Sequence, residues 1–263
     1  MPRPIRAIIH QNALAHNLNI ARKHASQHEV FAVVKANAYG HGIERVYPAL
    51  KTADGFALLD IDEAKRLRAL GWTGPILLLE GIFSAQDLFD CTAYQLSFSV
   101  HSEIQATWVR QHPEPAQFDI FLKMNSGMNR LGFQPQYYRE IWQSLRSCNT
   151  VNSLTHMMHF SDADGERLGQ SGIEVQLKIF EDTVQDLPGE RSICNSAAIL
   201  RHGSQLTSKT VRAGILLYGS SPDFPQHSIQ DWDLQPSMSL RSEIISIQDL
   251  QPMQTVGYGS TFQ

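Results

Sequence analysis

Residues 32–42 read AVVKANAYGHG, an apolar run that meets a glycine-containing loop at Lys35. The run predicts a buried strand, and a lysine at its end costs desolvation energy unless it is paired, neutral or used covalently. Barrel enzymes keep their chemistry at the carboxyl ends of their strands. A lysine there can form a Schiff base with a carbonyl cofactor, whereas an isolated strand-end lysine more often extends into solvent.

Seven further apolar runs follow this one, with helix-like segments between them. The eight candidate strands are FAVVKA (31–36), GFALLD (55–60), PILLLEG (75–81), YQLSFSV (94–100), FDIFLKM (118–124), VNSLTHMMHF (151–160), RSICNS (191–196) and TVRAGILLYG (210–219). The helix-like segments are IDEAKRLRAL (61–70), SAQDLFDC (84–91), HSEIQATWVR (101–110), PQYYREIWQSLRS (135–147) and GIEVQLKIFEDTVQDL (172–187). This alternation predicts an α/β fold, a closed (β/α)8 TIM-like barrel rather than an open sheet.

The pattern changes after Tyr218. Residues 220–237 are rich in Pro, Asp and Ser and are typical of a linker, and residues 238–263 then alternate polar and apolar side chains as antiparallel strands do. We expect a barrel over residues 1–222, followed over 223–263 by a linker and the incomplete start of a mostly antiparallel β domain. The final roughly 25 residues are too few for an independent core.

Composition excludes several classes of function. The chain has 263 residues, 42% hydrophobic and 18% charged, as expected of a globular protein. A net charge of −4 gives no reason to expect a nucleic-acid or membrane partner. There is no secretory signal and no apolar run of bilayer length, and the three scattered cysteines are typical of reduced thiols, so we expect a cytoplasmic protein. Histidine spacing predicts no metal site.

Unusual polar residues and bare backbone amides fall at the ends of the later strands. They are Lys123, Asn125, Arg130, His159, Asn195, Ser196, Arg212, Gly214 and Ile215. Strand ends converge at one mouth of a barrel, so these residues can share a site. The start of a loop explains Ser and Asn at such positions, but it explains lysines and arginines inside apolar runs less well. Ser196 is expected to cap a helix and, with the amides of Gly214 and Ile215, to cradle a phosphate.

The motifs together resemble those of alanine racemases, which are pyridoxal-phosphate (PLP) enzymes of fold type III. AVVKANAYGHG resembles the family's PLP-attachment motif, and LKMNSGMNRLGF, MHFSDAD, CNSAA, VRAGILLYG and VGYGSTF resemble its later motifs, in order, over residues 1–263. The resemblance implies a homodimeric isomerase that interconverts L-alanine and D-alanine by a two-base mechanism. The D-alanine would serve cell-wall peptidoglycan, or the enzyme would act in alanine catabolism.

Four residues acquire central roles from the resemblance. Lys35 matches the lysine that binds PLP and acts as the base on one face of the substrate α-carbon, and Tyr258 matches the tyrosine that a second subunit supplies on the opposite face. Arg212 matches the arginine at the pyridine nitrogen, where a guanidinium keeps that nitrogen unprotonated. His159 matches the histidine that supports this arginine.

Further positions follow from the same resemblance. Those near the cofactor, mostly its phosphate, are Tyr39, Asn195, Ser196, Gly214 and Ile215. Arg130 and Met128 match residues near the substrate, and Lys123 matches a lysine that is carbamylated in many members and then positions that arginine. Two positions depart from the family pattern, because Asn125 stands where many members have Asp and Asn129 where many have Gly.

The resemblance leaves two alternatives open. One is a related racemase of broader specificity, for example for serine; the other is a PLP-binding barrel or fragment without turnover. The VGYGSTF motif argues against a regulatory barrel, which needs no second base, and Arg212 argues against decarboxylases of similar fold. Family members continue for roughly another hundred residues, the size of a separate domain. We therefore expect a truncated member whose barrel folds, with PLP binding and turnover below those of a full-length relative.

Overall fold

The computed structural model describes residues 3–167 and 169–262, with twelve strands in that part of the chain. In chain order they are β1 (Arg6–Ile9), β2 (Glu29–Val33), β3 (Gly55–Leu58), β4 (Ile76–Leu78), β5 (Ser97–Val100), β6 (Phe118–Lys123), β7 (Val151–Met157), β8 (Glu166–Arg167), β9 (Gln170–Ser171), β10 (Glu190–Ser192), β11 (Thr210–Ala213) and β12 (Met238–Arg241). Each of the eight predicted strand segments overlaps one of them, although β2 and β10 begin before the predicted segments 31–36 and 191–196.

Eight of these strands form one parallel sheet, in the order β10, β7, β6, β5, β4, β3, β2, β11. Its two ends are joined by backbone hydrogen bonds. The amide of Lys209 donates to the carbonyl of Arg191 at 2.8 Å, and the amide of Arg212 donates to the carbonyl of Cys194 at 3.0 Å. The sheet is thus closed, and the predicted (β/α)8 barrel is confirmed.

The helices lie between the barrel strands and around them. They are Gln11–His24, Ile43–Leu50, Ile61–Ala69, Asp87–Ala93, Glu103–Arg110, Pro135–Arg146, Glu174–Val184 and Ser196–His202, with 3-10 turns at Ile215–Tyr218 and Tyr258–Ser260. All five predicted helical segments overlap a helix, although the helix Asp87–Ala93 extends beyond the predicted segment 84–91. The helices at Gln11–His24 and Ile43–Leu50 were not predicted from the sequence. The first has no capping side chain and no acidic first turn, and the second contains Pro48, which ordinarily argues against a helix.

Side chains alternate between two buried layers along each barrel strand. On β2, Val30 and Ala32 point into the large cluster between the strands and the helices, whereas Phe31 and Val33 point into the barrel interior. The interior cluster also contains Ala57, Leu77, Phe121 and Met157. Because this apolar cluster fills the barrel interior, charged side chains can be accommodated where the strands end.

The chain divides into two compact units, Ile9–Met238 and a smaller unit formed by Met1–Ile8 with Ser239–Gln263. The first unit extends past the boundary that the sequence predicted at residue 222. In the second, β1 pairs with β12, and Val256 forms an isolated bridge with Phe262. Its apolar side chains are mostly exposed, among them Ile244 at 81%. Within the described residues 238–262, the alternating pattern thus yields a strand at its start, β12, and none after it.

Candidate active site

A cavity of about 340 Å³ opens at the carboxyl ends of the barrel strands. Every position that the sequence analysis assigned to the cofactor, the substrate or a modified lysine in the barrel lines it, namely Lys35, Tyr39, Lys123, Met128, Arg130, His159, Asn195, Ser196, Arg212, Gly214 and Ile215. Such a volume is typical of small-molecule sites. The barrel therefore brings together residues that are separated by up to 180 positions in the chain (Lys35 to Ile215: 215 − 35).

The chain leaves β2 through a left-handed turn at Lys35–Tyr39. Ala36, Asn37, Ala38 and Tyr39 have φ between 51° and 56°, and Gly40 follows at 83°. For L-residues other than glycine this conformation costs roughly 1–2 kcal/mol per residue. Strain of that size persists only where surrounding contacts hold it, and it is typical of functional sites.

The end of this turn packs on aromatic rings. The Tyr39 ring lies 4.6 Å from that of Tyr218, which in turn lies 4.7 Å from the His41 ring. The Tyr218 hydroxyl donates to the carbonyl of Val33 at 2.9 Å, so the stack is fixed to β2. Burial raises the pKa of Tyr39, which keeps its hydroxyl protonated and able to donate a hydrogen bond.

Arg212 is a buried cation held by neutral acceptors. Its Nη1 donates to the carbonyl and hydroxyl oxygens of Ser192 at 2.6 and 2.7 Å, and its Nη2 donates to the carbonyl of Met158 at 2.7 Å. Only 3% of the residue is exposed, and the hydrogen bonds that it forms with described residues all go to neutral groups. Burial lowers the pKa of Arg212 to about 10, so the guanidinium still carries its charge at neutral pH.

His159 lies beside this guanidinium, with 3.5 Å between its Nδ1 and Nη2 of Arg212. A guanidinium has no lone pair to accept with, so Nδ1 must be the acceptor and the imidazole must be neutral. The electrostatics agree, because burial first and then the charges of Arg212 and Lys123 hold the pKa of His159 well below its usual value. The ring can therefore orient Arg212 without adding another positive charge.

Lys123 is 5% exposed at the end of β6. Burial, followed by the positive charges of Arg212 and Arg130, lowers the pKa of Lys123 to about 8, while Glu80 acts in the opposite direction. The Arg130 side chain is exposed and makes no hydrogen bond or ion pair within the described part of the chain. A lysine with such a pKa is partly neutral near pH 8, and Arg130 is available for an anionic ligand.

The loop that carries Arg130 is closed by two asparagines. The Asn125 amide donates to Oδ1 of Asn129 at 3.1 Å, and its Oδ1 accepts from the backbone N–H groups of Gly127 and Asn129 at 3.1 and 2.9 Å. Asn129 has φ of 58°, a conformation that glycine adopts freely and asparagine tolerates. The two departures from the family pattern therefore fit each other, since an aspartate at position 125 has no N–H to give to Asn129.

A small cradle lies where Ser196 meets the loop after β11. Ser196 Oγ accepts from the N–H groups of Gly214 and Leu216 at 2.9 and 3.4 Å. A Cβ on Gly214 would lie only 2.9 Å from the Tyr39 hydroxyl, so glycine keeps this space open. The expected capping role of Ser196 is wrong: Asn195 caps the helix, with its Oδ1 accepting from the N–H of Ala198 at 3.0 Å.

The cavity also has contributors that the sequence analysis did not name, including Val33, Met157, Glu80 and Asp164. Glu80 directly follows the apolar run of β4, so the signal that drew attention to Lys35 was present there too. The charged side chains around the cavity are four cations, Lys35, Lys123, Arg130 and Arg212, and two carboxylates, Glu80 and Asp164. This excess of positive charge suits an anionic ligand.

Tyr258 is the one predicted site residue that lies outside the barrel. It belongs to the smaller unit, in the 3-10 turn Tyr258–Ser260, and its side chain is fully exposed. Within residues 3–167 and 169–262, no group of three or more His, Cys, Asp or Glu residues is arranged to hold a metal ion. In the same part of the chain, no helix combines the length and apolarity that crossing a membrane requires.

The sequence model of a family described as "Alanine racemase, N-terminal domain" matches residues 9–222. An alanine racemase of Acinetobacter baumannii (strain SDF) is 69% identical over 262 residues, which make up 100% of this chain and 71% of that protein. An alanine racemase of Methylibium petroleiphilum is 56% identical over 264 residues, with the same two coverages.

Solved structures give the same result. A biosynthetic alanine racemase from Pseudomonas aeruginosa superposes with a TM-score of 0.92 at 37% identity, covering 99% of this chain and 72% of that one. An alanine racemase from E. faecalis superposes with a TM-score of 0.86 at 29% identity, covering 99% of this chain and 71% of that one. These matches therefore include both the barrel and the residues that follow it.

Proposed function

We infer the function from one premise: the chain belongs to the alanine racemase family, as its family match and its relatives establish. Members are isomerases acting on alanine, and we propose that this chain interconverts L-alanine and D-alanine with PLP as cofactor. The observation that carries the proposal is the convergence of Lys35, Arg212 and the Ser196 cradle on one cavity.

The donor set of the cavity fits PLP. The space above Gly214, bordered by the hydroxyls of Tyr39 and Ser196, suits a phosphate, since a Cβ would fill it. Lys35 supplies an amine for the cofactor aldehyde, and the fixed guanidinium of Arg212 supplies a donor for the ring nitrogen. PLP, when bound, withdraws electrons from the α-carbon of an amino acid and so makes its proton removable.

Racemisation needs one proton-transfer group on each face of the α-carbon. We assign Lys35 Nζ to one face; this atom would hold the cofactor until the substrate amine replaces it there, and the freed amine would then transfer the proton. We assign Tyr258 of a second copy of the chain to the other face, which makes the active form a homodimer. The full exposure of the Tyr258 side chain supports this assignment, because the hydroxyl is free to enter another molecule's site.

Arg212 and His159 restrain the cofactor. The arginine would donate an N–H to the ring nitrogen of the bound cofactor and, being a very weak acid, would leave that nitrogen unprotonated. This limits electron withdrawal to what proton transfer requires and disfavours competing chemistry. His159 accepts from Arg212 as a neutral ring, and Asn195 Nδ2 lies 3.4 Å from its other nitrogen, on a side chain fixed to the carbonyl of Phe160.

Arg130 and Met128 line the substrate side of the cavity, and we assign the carboxylate of alanine to Arg130. Lys123 is proposed to carry a carbamate, formed when its neutral amine adds dissolved carbon dioxide and releases a proton. The lowered pKa of about 8 supports this step, since only the neutral amine reacts. The resulting anion would offset the positive charge around it and orient Arg130.

The relative from Pseudomonas aeruginosa is described as biosynthetic. By analogy, we propose a biosynthetic role here, in which the D-alanine supplies cell-wall peptidoglycan. Catabolism of alanine is the alternative role, and the same site chemistry serves both.

The assignment of Lys35 is tested by replacing it with alanine. The Lys35→Ala variant should lose turnover by on the order of 10³-fold or more, because it lacks both the attachment atom and one base. Borohydride reduction of the PLP-loaded wild type should leave the cofactor on the peptide containing residue 35. Lys51→Ala, which removes an exposed lysine, is the matched control. Cofactor still trapped at that peptide in Lys35→Ala, or full turnover, would refute the assignment.

A further inference from the structure

We propose that Glu63 and Arg66, which lie outside the cavity on the helix Ile61–Ala69, are positioning residues for Lys35. They hold the left-handed turn Lys35–Tyr39 and thereby set the direction in which the lysine amine points. The proposal rests on the proposed function, because the role of Lys35 is part of it.

Both residues hold the same asparagine at the centre of the turn. The backbone N–H of Asn37 donates to Oε1 of Glu63 at 2.5 Å, and Oδ1 of Asn37 accepts from Nη2 of Arg66 at 2.8 Å. The same Oδ1 accepts from the N–H of Ile43 at 3.1 Å, where the next helix begins. The main chain and the side chain of Asn37 are therefore both fixed by groups outside the turn.

A left-handed turn of non-glycine residues requires such external contacts. L-residues relax from positive φ into the right-handed or extended regions unless something prevents it. Within the turn, the N–H of Ala38 donates to the carbonyl of Val34 at 2.8 Å and the N–H of Gly40 to that of Ala36 at 3.0 Å. The first of these bonds spans Lys35 and Asn37, so relaxation at Asn37 would reorient the Cα–Cβ bond of Lys35.

The Glu63 carboxyl is held at some energetic cost. Its Oε2 is buried and has no hydrogen-bond partner among the described residues, and burial raises the pKa of Glu63. A glutamate on a helix surface would ordinarily turn both oxygens toward water. In this chain the Glu63 carboxyl instead points toward Asn37, where it can hold the turn that positions Lys35.

Arg66 is itself oriented by Glu44, whose two carboxyl oxygens accept from its Nε and Nη2 at 2.7 Å each. The hydrogen bond with Arg66 lowers the pKa of Glu44 to about 2, so this pair persists over the working pH range. Both side chains are more than a third exposed, and such pairs add little to global stability. Removing Arg66 should therefore loosen the turn without unfolding the barrel.

The test compares Glu63→Ala, Glu63→Gln and Arg66→Met in the full chain. The matched control is Asp62→Ala, which changes a carboxylate one residue away whose side chain is 89% exposed. Amide hydrogen exchange at residues 36–40 is measured in the cofactor-free protein, and PLP affinity is measured by absorbance titration. Neither readout depends on activity of the loaded enzyme.

We expect Glu63→Ala to speed exchange in the turn about tenfold and to weaken PLP binding by a similar factor, as the loss of one hydrogen bond implies. Exchange in the barrel strands should stay unchanged. Glu63→Gln should keep exchange rates and PLP affinity close to those of the wild type, since the side-chain oxygen of glutamine can accept the same hydrogen bond. Arg66→Met should act in the same direction as Glu63→Ala.

Exchange and PLP affinity in Glu63→Ala and Arg66→Met equal to those in Asp62→Ala would overturn the proposal. Failure of the proposed function gives a different result. In that case, borohydride would trap PLP in the wild type at a residue other than Lys35, whatever the exchange rates of the turn.

Discussion

Two histidines three residues apart lie on opposite sides of the barrel wall. His156, on β7, faces the layer between the strands and the helices, whereas His159, just after β7, lines the cavity at the mouth. Both are largely buried, and burial is the first cause that lowers the pKa of each. They differ in what surrounds them.

In the layer between the strands and the helices, the two ring nitrogens of His156 face a hydroxyl and a carbonyl oxygen, and the cation that helps to lower the pKa of His156 is Arg191, which is paired with Glu181. Nδ1 lies 3.0 Å from the Tyr138 hydroxyl, and Nε2 lies 3.2 Å from the carbonyl of Leu187. The ring stacks on Trp142 with 17° between the planes. Such a histidine is part of the packing, and its polar atoms are matched as buried polar atoms generally are.

At the mouth, His159 has the side-chain nitrogens of Arg212 and Asn195 beside its two ring nitrogens, at 3.5 and 3.4 Å. Four cations, those of Arg212, Lys123, Arg130 and Lys35, add to the lowering of the pKa of His159. Burial is thus common to the two histidines, whereas positive charge acts on His159 through four cations and on His156 through Arg191. The positive charge is concentrated at the mouth. It is this charge that distinguishes the candidate site from the core.

The substitution with the largest expected effect is Arg212→Glu, which reverses one of the charges that distinguish the mouth from the layer between the strands and the helices. Turnover should fall by about 10²-fold or more, since a preorganised donor is lost. Stability should fall by on the order of 3 kcal/mol, because a carboxylate would face the carbonyls of Ser192 and Met158. Racemisation rate, cofactor absorbance and urea unfolding measure these effects. Parental turnover with an unchanged spectrum would show that the role belongs to another residue.

A matched control for that experiment is Arg191→Ala, on β10. Arg191 pairs with Glu181 at 2.7 Å near the surface, and both side chains remain partly exposed. Its loss should cost less than about 1 kcal/mol and leave turnover unchanged. If Arg212→Glu and Arg191→Ala changed turnover and stability equally, the mouth would not differ in function from the layer between the strands and the helices.

The two histidines themselves give the next largest effects. His156→Ala should destabilise the barrel by about 2 kcal/mol through a packing defect and lost hydrogen bonds, with unchanged turnover per folded molecule. His159→Ala should do the reverse, lowering turnover about tenfold while costing little stability. Urea unfolding and racemisation assays on both variants measure these effects. If the two variants lose the same stability and the same turnover, the assignment of His156 to packing and His159 to the site is wrong.

The smallest predicted effect is a pH dependence that arises from Lys123. The pKa of Lys123 is about 8 in the folded chain, against the ordinary lysine value of 10.5 in the unfolded chain. Between these pH values the unfolded state binds the extra proton, so stability should rise with pH, by at most about 1.4 kcal/mol per pH unit. Urea unfolding in carbon-dioxide-free buffer should show this slope in the wild type. The slope should be absent in Lys123→Met, and its persistence there would assign it to another group.

Much of this architecture could be read from the sequence. Hydrophobic patterning identified all eight barrel strands, and the family resemblance carried by the motifs is confirmed. Strand ends in a closed barrel meet at one mouth, so residues as distant as Lys35 and Ile215 could be expected to lie in one cavity. Their catalytic roles and the partner-supplied Tyr258 stay predictions.

Other features were decided by tertiary contacts. The left-handed turn after Lys35 contains no sequence signal for positive φ at Ala36 or Ala38, and its contacts with Glu63 and Arg66 come from another helix. The helix is capped by Asn195 and not by Ser196 as predicted, because the Ser196 hydroxyl accepts a hydrogen bond from the loop after β11.

The physical reason is the range of the interactions concerned. Strand alternation and helical periodicity arise between residues a few positions apart, and so a local pattern records them. A strained backbone or an uncompensated buried charge such as Arg212 is locally unfavourable and survives only because distant groups stabilise it. The sequence by itself therefore determined the barrel and the residues at its mouth, whereas the tertiary structure alone decided the strained turn and the electrostatic environment of those residues.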